Sequence, residues 1–333
     1  MLFIWQNAIC GGGLGRWSVT GIEWAHGFVR IKPTKPHRLG ETMTAEVRFE
    51  TPSSAKEAAV LLSSAQVPAR VLAGGTDLLV QMRSGRLQAG LIVDIKGIDE
   101  IVSVREEGDG WRVGAAVACM DLADHEGFAA AFPGVVDGAN WIGSIQVRSR
   151  ASMGGNLCNA SPAADSVPAM MAVGAIASIE GPNGRREVPV EDVPVGPGKT
   201  SLQPGELLVS FFFPKQPAHS GSAYMRFTPR TEMDIAVVGA GVSVTLDDKG
   251  VCTDARVCLG AVSAKAMVVP EAGKALIGTT VDEAALDKMA ALASAAATPI
   301  DDKRGTKVFR TKVTGVMARR TALKALQRAK ENH

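Results

Sequence analysis

Two glycine pairs constrain this chain more than any other feature of it. Gly74-Gly75 closes the apolar run ARVLA (69–73) and leads into Thr76-Asp77-Leu78. Gly154-Gly155 follows Ser152-Met153 and leads through Asn156 into a stretch of small residues that reaches Asp165. A strand that runs into paired glycines and then a helix start lets backbone N–H groups approach an anion with no Cβ in the way. The helix start adds partial positive charge. The natural guest is a phosphate or pyrophosphate. Either segment alone also reads as an ordinary strand-to-helix turn. Two in one chain suit a dinucleotide, whose single pyrophosphate two loops can enclose. In the second segment Ser152 and Asn156 can donate to phosphate oxygens, while Asp165 either caps the next helix or accepts from a ribose hydroxyl.

Composition supplies the bounds. The chain has 333 residues, 46% hydrophobic and 21% charged, enough to bury the cores of two ordinary domains. No apolar run approaches the length of a membrane span. A net charge of +2 gives no bulk attraction to nucleic acid. Cys10, Cys119, Cys158, Cys252 and Cys258 are scattered, fit no zinc or iron–sulfur spacing, and suggest a reducing, cytoplasmic setting. The single Tyr beside 36 Gly points to loops where backbone meets the ligand.

Residues 1–42 differ from the rest. They hold Trp5, Trp17 and Trp24, and their cations Arg16, Arg30, Lys32, Lys35 and Arg38 outnumber Glu23 and Glu41. This stretch reads as a leader: either a presentation segment or an over-long start, with Met43 as the first residue of the folded chain.

From Val47 the pattern is regular. VRFETP predicts a short strand, and Ser54 to Glu57 a capping box that opens a helix to about Ala65. Strands are predicted at 69–73 and 91–95, with a helix between them that Thr76 or Asp77 can cap. A strand pair spans 101–105 and 111–117, and helices cover 119–140 and Asp165 to about Val173. AIASIE and ELLVSFFFP read as strands, with a turn at Asn183-Gly184 after the first, and 216–221 reads as a domain boundary. Three antiparallel strands then precede helices at 263–277, 282–297 and 312–331.

Other signals fail their own tests. Gly239-Ala-Gly241 invites a dinucleotide fingerprint, but Val244 holds the third glycine position and SVTL continues as strand. Gly11 to Gly15 fails likewise at Arg16. GxxxxGK[ST], GxSxG and HExxH do not occur. His125, His219 and His333 alone follow Met43, a poor supply for a His-based triad or metal site. The basic C-terminus from Arg319 to Lys330 reads as the wet face of a helix.

VLAGGTDLL and QVRSRASMGGNLCNASPAADSVPA resemble the two signature loops of the FAD-binding medium subunit of molybdenum hydroxylases. That family includes the CO dehydrogenase medium subunit and the flavin domain of xanthine dehydrogenase. The resemblance continues through Glu206 to Leu208, Tyr224 to Arg226, Arg230 to Ala236 and Asp301 to Arg310, covering 46–331 in order and none of 1–42. It implies an α+β chain. A vanillyl-alcohol-oxidase-like (PCMH-type) FAD-binding fold of two α/β subdomains would occupy 43–218. A C-terminal domain like that of the CO dehydrogenase flavoprotein, with a three-stranded antiparallel sheet and helices, would occupy 222–331.

Carried over by position, the resemblance implies that Leu72, Ala73, Gly74, Gly75, Thr76, Asp77 and Leu78 line the pyrophosphate and part of the flavin. Ser152, Met153, Gly154, Gly155 and Asn156 would form the second clamp, and Asp165 would bind the adenosine side or order that loop. Ile142 would pack near the cofactor, Leu208 by the isoalloxazine, and Arg226, where many relatives have Lys, would keep a positive charge near the flavin. Ser149, Met153 and the Gly305-Thr306 pair depart from the family pattern.

The resemblance also implies partners: a small [2Fe–2S] subunit and a large molybdopterin-binding subunit in an (αβγ)2 assembly. Electrons would reach FAD from the clusters and leave to NAD+, a quinone, a cytochrome or oxygen. The isolated cysteines cannot supply a cluster here. A stand-alone flavin oxidoreductase of the same superfold would need an acid or base near the flavin, against which the scarcity of Tyr and His argues. A flavin-free assembly subunit is opposed by the two intact glycine pairs.

Overall fold

A computed structural model describes residues 22–25, 28–31, 47–230 and 233–332. The chain divides into two units, Met1–Glu46 and Val47–His333. In the first, β1 (Ile22–Ala25) and β2 (Phe28–Ile31) pair as an antiparallel hairpin. The remainder of the leader predicted for 1–42 lies outside the described residues.

The second unit starts with a small parallel sheet. β3 (Arg48–Glu50), α1 (Ala55–Ser64), β4 (Ala69–Leu72), α2 (Leu78–Arg83) and β5 (Leu91–Asp94) follow in order, and β5 lies between β3 and β4. A central parallel strand is covered on both faces, which explains the unbroken apolar run Leu91-Ile-Val93. α1 turns Ala55, Ala58 and Ala59 inward, the three-and-four spacing of a helix face. Ser54 caps it by accepting from the Glu57 N–H at 3.2 Å. The Glu57 carboxylate reaches back to Ser53, whose N–H donates to it at 2.8 Å, so the capping box is offset by one residue.

α3 (Asp99–Val102) leads into the hairpin β6 (Val104–Glu107) and β7 (Gly110–Gly114). A helical layer follows: α4 (Cys119–Asp124), α5 (Glu126–Ala131), α6 (Pro133–Asn140), α7 (Ile145–Arg148), α8 (Met153–Cys158) and α9 (Ser166–Ala172). β8 (Ile176–Gly181), β9 (Gly184–Pro189), the short pair β10 (Pro194–Gly196) and β11 (Lys199–Thr200), and β12 (Leu207–Pro214) complete this region. The five-stranded antiparallel sheet has the order β6-β7-β12-β8-β9.

β12 serves two cores. Leu207 and Val209 pack with α1 and β5, whereas Leu208, Phe211 and Phe213 pack with the helical layer. Strict alternation would send Phe211 and Phe213 the same way as Leu207 and Val209. A bulge against β8 between Leu208 and Ser210 reverses the phase. Phe128 and Phe132 of the helical layer close on Phe213 at 5.1 and 5.3 Å between ring centroids.

β13 (Ser220–Phe227), β14 (Val238–Leu246), β15 (Cys252–Gly260) and β16 (Met267–Val268) form the second antiparallel sheet, followed by α10 (Pro270–Lys274), α11 (Glu283–Ala296) and α12 (Lys307–Glu331). Two expectations need correction. The predicted helix at 263–277 is confined to α10, because Pro270 can start a helix but cannot sit within one, and the residues before it add β16 as a fourth strand. The last helix starts at Lys307, capped by Thr306, earlier than the predicted 312.

Ala318, Ala322, Ala325 and Ala329 bring α12 close to the sheet, where a Cβ at Gly221 would lie 2.2 Å from the Ala325 carbonyl oxygen. On the other sheet face a Cβ at Gly241 would lie 2.2 Å from the Pro168 carbonyl oxygen of α9, so the glycines of β14 serve close packing. Among the described residues no helix is long and apolar enough to cross a membrane.

Asp137 of α6 joins the helical layer to the second sheet and its helices. It accepts from Arg328 at 2.6 and 3.1 Å, from Lys324 at 3.0 Å and from the Tyr224 N–H at 3.2 Å. Asp137→Ala leaves two half-buried cations facing each other and is expected to cost about 3 kcal/mol of stability. Urea denaturation of the full chain measures it; an unchanged midpoint would refute the role.

Candidate functional site

Both glycine pairs line one cleft of about 240 Å³. One wall is the turn from β4 into α2, comprising Ala73, Gly74, Gly75, Thr76, Asp77 and Leu78. Another is the entry to α8, comprising Ser152, Gly154, Gly155 and Asn156. Ile142 and Leu208 meet Ile95, Ala115 and Leu207 to give the cleft its apolar part.

The turn from β4 exists only with glycine. Gly75 has φ +75°, the left-handed region that side chains disfavour. A Cβ on Gly74 would stand 1.7 Å from the carbonyl oxygen of Arg150, the residue that leads into Ala151 and the α8 entry. The two walls therefore touch, backbone on backbone. Lys96 steadies the turn by donating to the Ala73 carbonyl at 3.0 Å, and Asp94 holds that ammonium at 2.5 Å.

The second pair is not an open turn. Gly154 and Gly155 lie in the first turn of α8, and Ser152 is its N-cap. Gly154 N–H donates to Ala115 O at 3.2 Å, Gly155 N–H to Ser152 Oγ at 3.1 Å and Asn156 N–H to Ser152 O at 3.0 Å. These backbone donors are spent inside the protein. The α8 wall instead offers the Ser152 hydroxyl proton and the Asn156 amide. The Asn156 carbonyl oxygen accepts from Ser166 Oγ at 2.8 Å, which leaves the –NH2 to seek another acceptor. α2 and α8 span 6 residues each, too short for much macrodipole. Donors for an anion are therefore local: these side chains, and the N–H groups that the start of α2 leaves without an intrahelical partner.

Four predicted residues stand outside the lining. Leu72 packs behind Gly75, since its Cδ1 lies 3.0 Å from where a Gly75 Cβ would be. Met153 is buried in the helical core. Asp165 and Arg226 are engaged with each other: Arg226 Nη1 donates to Asp165 Oδ2 at 2.6 Å, and the Tyr224 hydroxyl donates to Asp165 Oδ1 at 2.7 Å. Asp165 occupies an N-cap position, yet its carboxylate is spent on these two residues of β13. The geometry thus replaces the simple cap that the sequence allows.

The cleft also uses residues that pattern alone could not reveal. Gln81 Nε2 of α2 donates to Asn159 Oδ1 at 3.0 Å and clips the two walls together. Glu206 lies in the lining, and Arg186 holds it at 2.7 and 2.8 Å, which keeps its carboxyl below the usual range. Asp77 has only burial acting on it, which raises its carboxyl.

Residues 45–216 match the family model of the FAD binding domain in molybdopterin dehydrogenase, and 223–325 match the CO dehydrogenase flavoprotein C-terminal domain. The chain belongs to this family. It is 36% identical over 282 residues to the carbon monoxide dehydrogenase medium chain of Afipia carboxidovorans, covering 85% of this chain and 97% of that one. It is 35% identical over 195 residues to the xanthine dehydrogenase FAD-binding subunit of Escherichia coli O157:H7, covering 58% of this chain and 66% of that one. The structure of reconstituted CO dehydrogenase from Oligotropha carboxidovorans superposes with a TM-score of 0.81 at 34% identity, covering 85% of this chain and 98% of that one. The chain is an FAD-binding oxidoreductase subunit of the molybdenum hydroxylase type, and the fold and cofactor implied by its two loops stand.

The lining suits that cofactor. Hydroxyl and amide donors flank glycine backbone where a pyrophosphate needs close approach, and an apolar part can receive a flat ring. Gly74→Ala is expected to cost about 3 kcal/mol, because backbone cannot yield to the new Cβ. Gly155→Ala meets only Ser152 Oγ at 3.4 Å. It is expected to change stability by less than about 1 kcal/mol. Paired denaturation curves check this ordering; equal costs would refute it.

Burial pushes the Asp165 carboxyl up from 3.8 to about 6, against the pull of Arg226 and Tyr224. Folded protein therefore binds this proton more tightly than unfolded protein does. The contribution to stability is full below about 3.8 and is lost as pH rises through about 6. In urea titrations of the FAD-free chain, the stability of wild type relative to Asp165→Asn is expected to fall between these pH values and flatten above them. A difference that stays constant over that range would contradict the assignment.

Proposed function

We propose that this chain is the electron-transfer subunit of a heterotrimeric molybdenum hydroxylase. It would assemble with a small [2Fe–2S] subunit and a large molybdopterin-binding subunit, as (αβγ)2 in the cytoplasm. The FAD-binding domain would occupy 43–218 and the C-terminal domain 222–331. Bound FAD would supply two-electron redox capacity, filled from the partner's clusters and emptied to NAD+, a quinone, a cytochrome or oxygen.

The chemistry of the cleft lining carries this reading. Among the described residues that line it there is no His, Tyr, Lys or Arg, and its two carboxylates are Asp77 and Glu206. Glu206 is neutralised by Arg186. The wall binds and orients but has little with which to move a substrate proton, which suits electron transfer better than stand-alone catalysis. The thiols argue the same way. Burial pushes Cys119, Cys158 and Cys258 up to about 12 and Cys252 to about 11, whereas cluster ligation calls for thiolates.

Ser152 and Asn156 would hold the phosphates from one side and the Gly74 to Leu78 backbone from the other. Ile142 and Leu208 would pack on a ring of the dinucleotide. The full chain is expected to purify yellow, or to turn yellow on addition of FAD. A chain that stays colourless and quenches no FAD fluorescence would refute the reading. Asp77→Asn tests the stand-alone alternative: flavin content and reducibility by dithionite are expected to survive. Substrate-driven reduction of the isolated wild-type chain that Asp77→Asn abolishes would favour that alternative instead.

A further inference from the structure

Tyr224 is the only tyrosine of the chain, and it is 2% exposed. It stands two residues from Arg226 on β13, so both side chains leave the same face of the sheet. The fold makes room for it: Gly239 lies opposite Arg226 on β14, and a Cβ there would meet the Tyr224 hydroxyl at 2.4 Å. The hydroxyl donates to one Asp165 oxygen at 2.7 Å and Arg226 to the other at 2.6 Å. The Arg226 guanidinium also lies 4.7 Å from the Trp141 ring centroid, a cation–π contact made with the arginine side chain 2% exposed.

Two short routes run from this group, whose Trp141 is itself exposed, to the cleft. Asp165 adjoins Ser166, whose hydroxyl donates to Asn156 Oδ1 and so turns the side-chain amide donors of that lining residue. Trp141 adjoins Ile142, which lines the apolar part. Residues of the C-terminal sheet are therefore linked to two of the side chains that line the cleft, Asn156 and Ile142.

We propose that Tyr224 and Arg226 are positioning residues for FAD. They fix the Asp165-Ser166 turn and Trp141, and through them the orientation of Asn156 and Ile142, without touching the cleft themselves. The C-terminal sheet thereby contributes to cofactor affinity. The inference rests on FAD occupying this cleft.

Tyr224→Phe removes one hydroxyl and keeps the ring. FAD affinity of the FAD-depleted full chain, measured by flavin fluorescence quenching, is expected to fall about tenfold, with far-UV circular dichroism unchanged. Asn156→Ala is measured alone and combined with Tyr224→Phe. Because the tyrosine acts through Asn156, the double variant is expected to lose clearly less than the product of the two single losses. Arg226→Lys, which keeps the charge and an Asp165 partner, is expected to retain more affinity than Arg226→Met. Wild-type affinity in Tyr224→Phe, or losses that multiply independently, would overturn the proposal while leaving FAD binding intact. Failure of the wild-type chain itself to bind FAD would overturn the cofactor reading and this proposal with it.

Discussion

The cleft depends on one contact between two backbones. Gly74 approaches the Arg150 carbonyl so closely that a single added carbon has no place. Because of that contact the small parallel sheet and the helical layer share a wall rather than a gap. The Gln81–Asn159 bond crosses between the same two bodies and holds them at this distance. Glycine at position 74 serves the protein first. Gly75, with its left-handed φ and its place in the lining, is the partner that shapes the bend.

Much of this was legible in residue order, and for local reasons. A Ser before a run of alanines caps α1, an unbroken apolar run marks the covered strand β5, and a strand ending in two glycines marks the turn that lines the cleft. Each depends on neighbours a few residues away. The Ser152 N-cap is equally local, yet a glycine pair taken as a turn hides what that cap entails. Once Ser152 accepts from Gly155, the backbone beyond it is helix and its first donors are already committed.

What stayed hidden depends on partners far along the chain. Whether Asp165 is a simple cap is decided only by β13, about sixty residues later, which brings Tyr224 and Arg226 to its carboxylate. The two-faced role of β12 is hidden likewise, because its apolar run ELLVSFFFP has no period from which a phase reversal could be read. Gly239 and Gly241 look like a nucleotide fingerprint in isolation. They prove to be space for a phenol and for a helix backbone.

The electrostatic design follows from the same separation of roles. Full positive charges stay behind the cleft walls: Lys96 on Asp94 and a carbonyl, Arg186 on Glu206, Arg226 on Asp165. The cleft lining carries hydroxyl, amide and backbone dipoles. Such donors are fixed by the fold, need no counter-ion and lose little to screening at short range, whereas an exposed lysine would be screened by salt. Paired charges in the second layer still act, because each holds a piece of backbone or a side chain in place. A cleft built this way favours a ligand that is anionic at its middle and flat and apolar at an end, which is the chemical outline of a flavin dinucleotide.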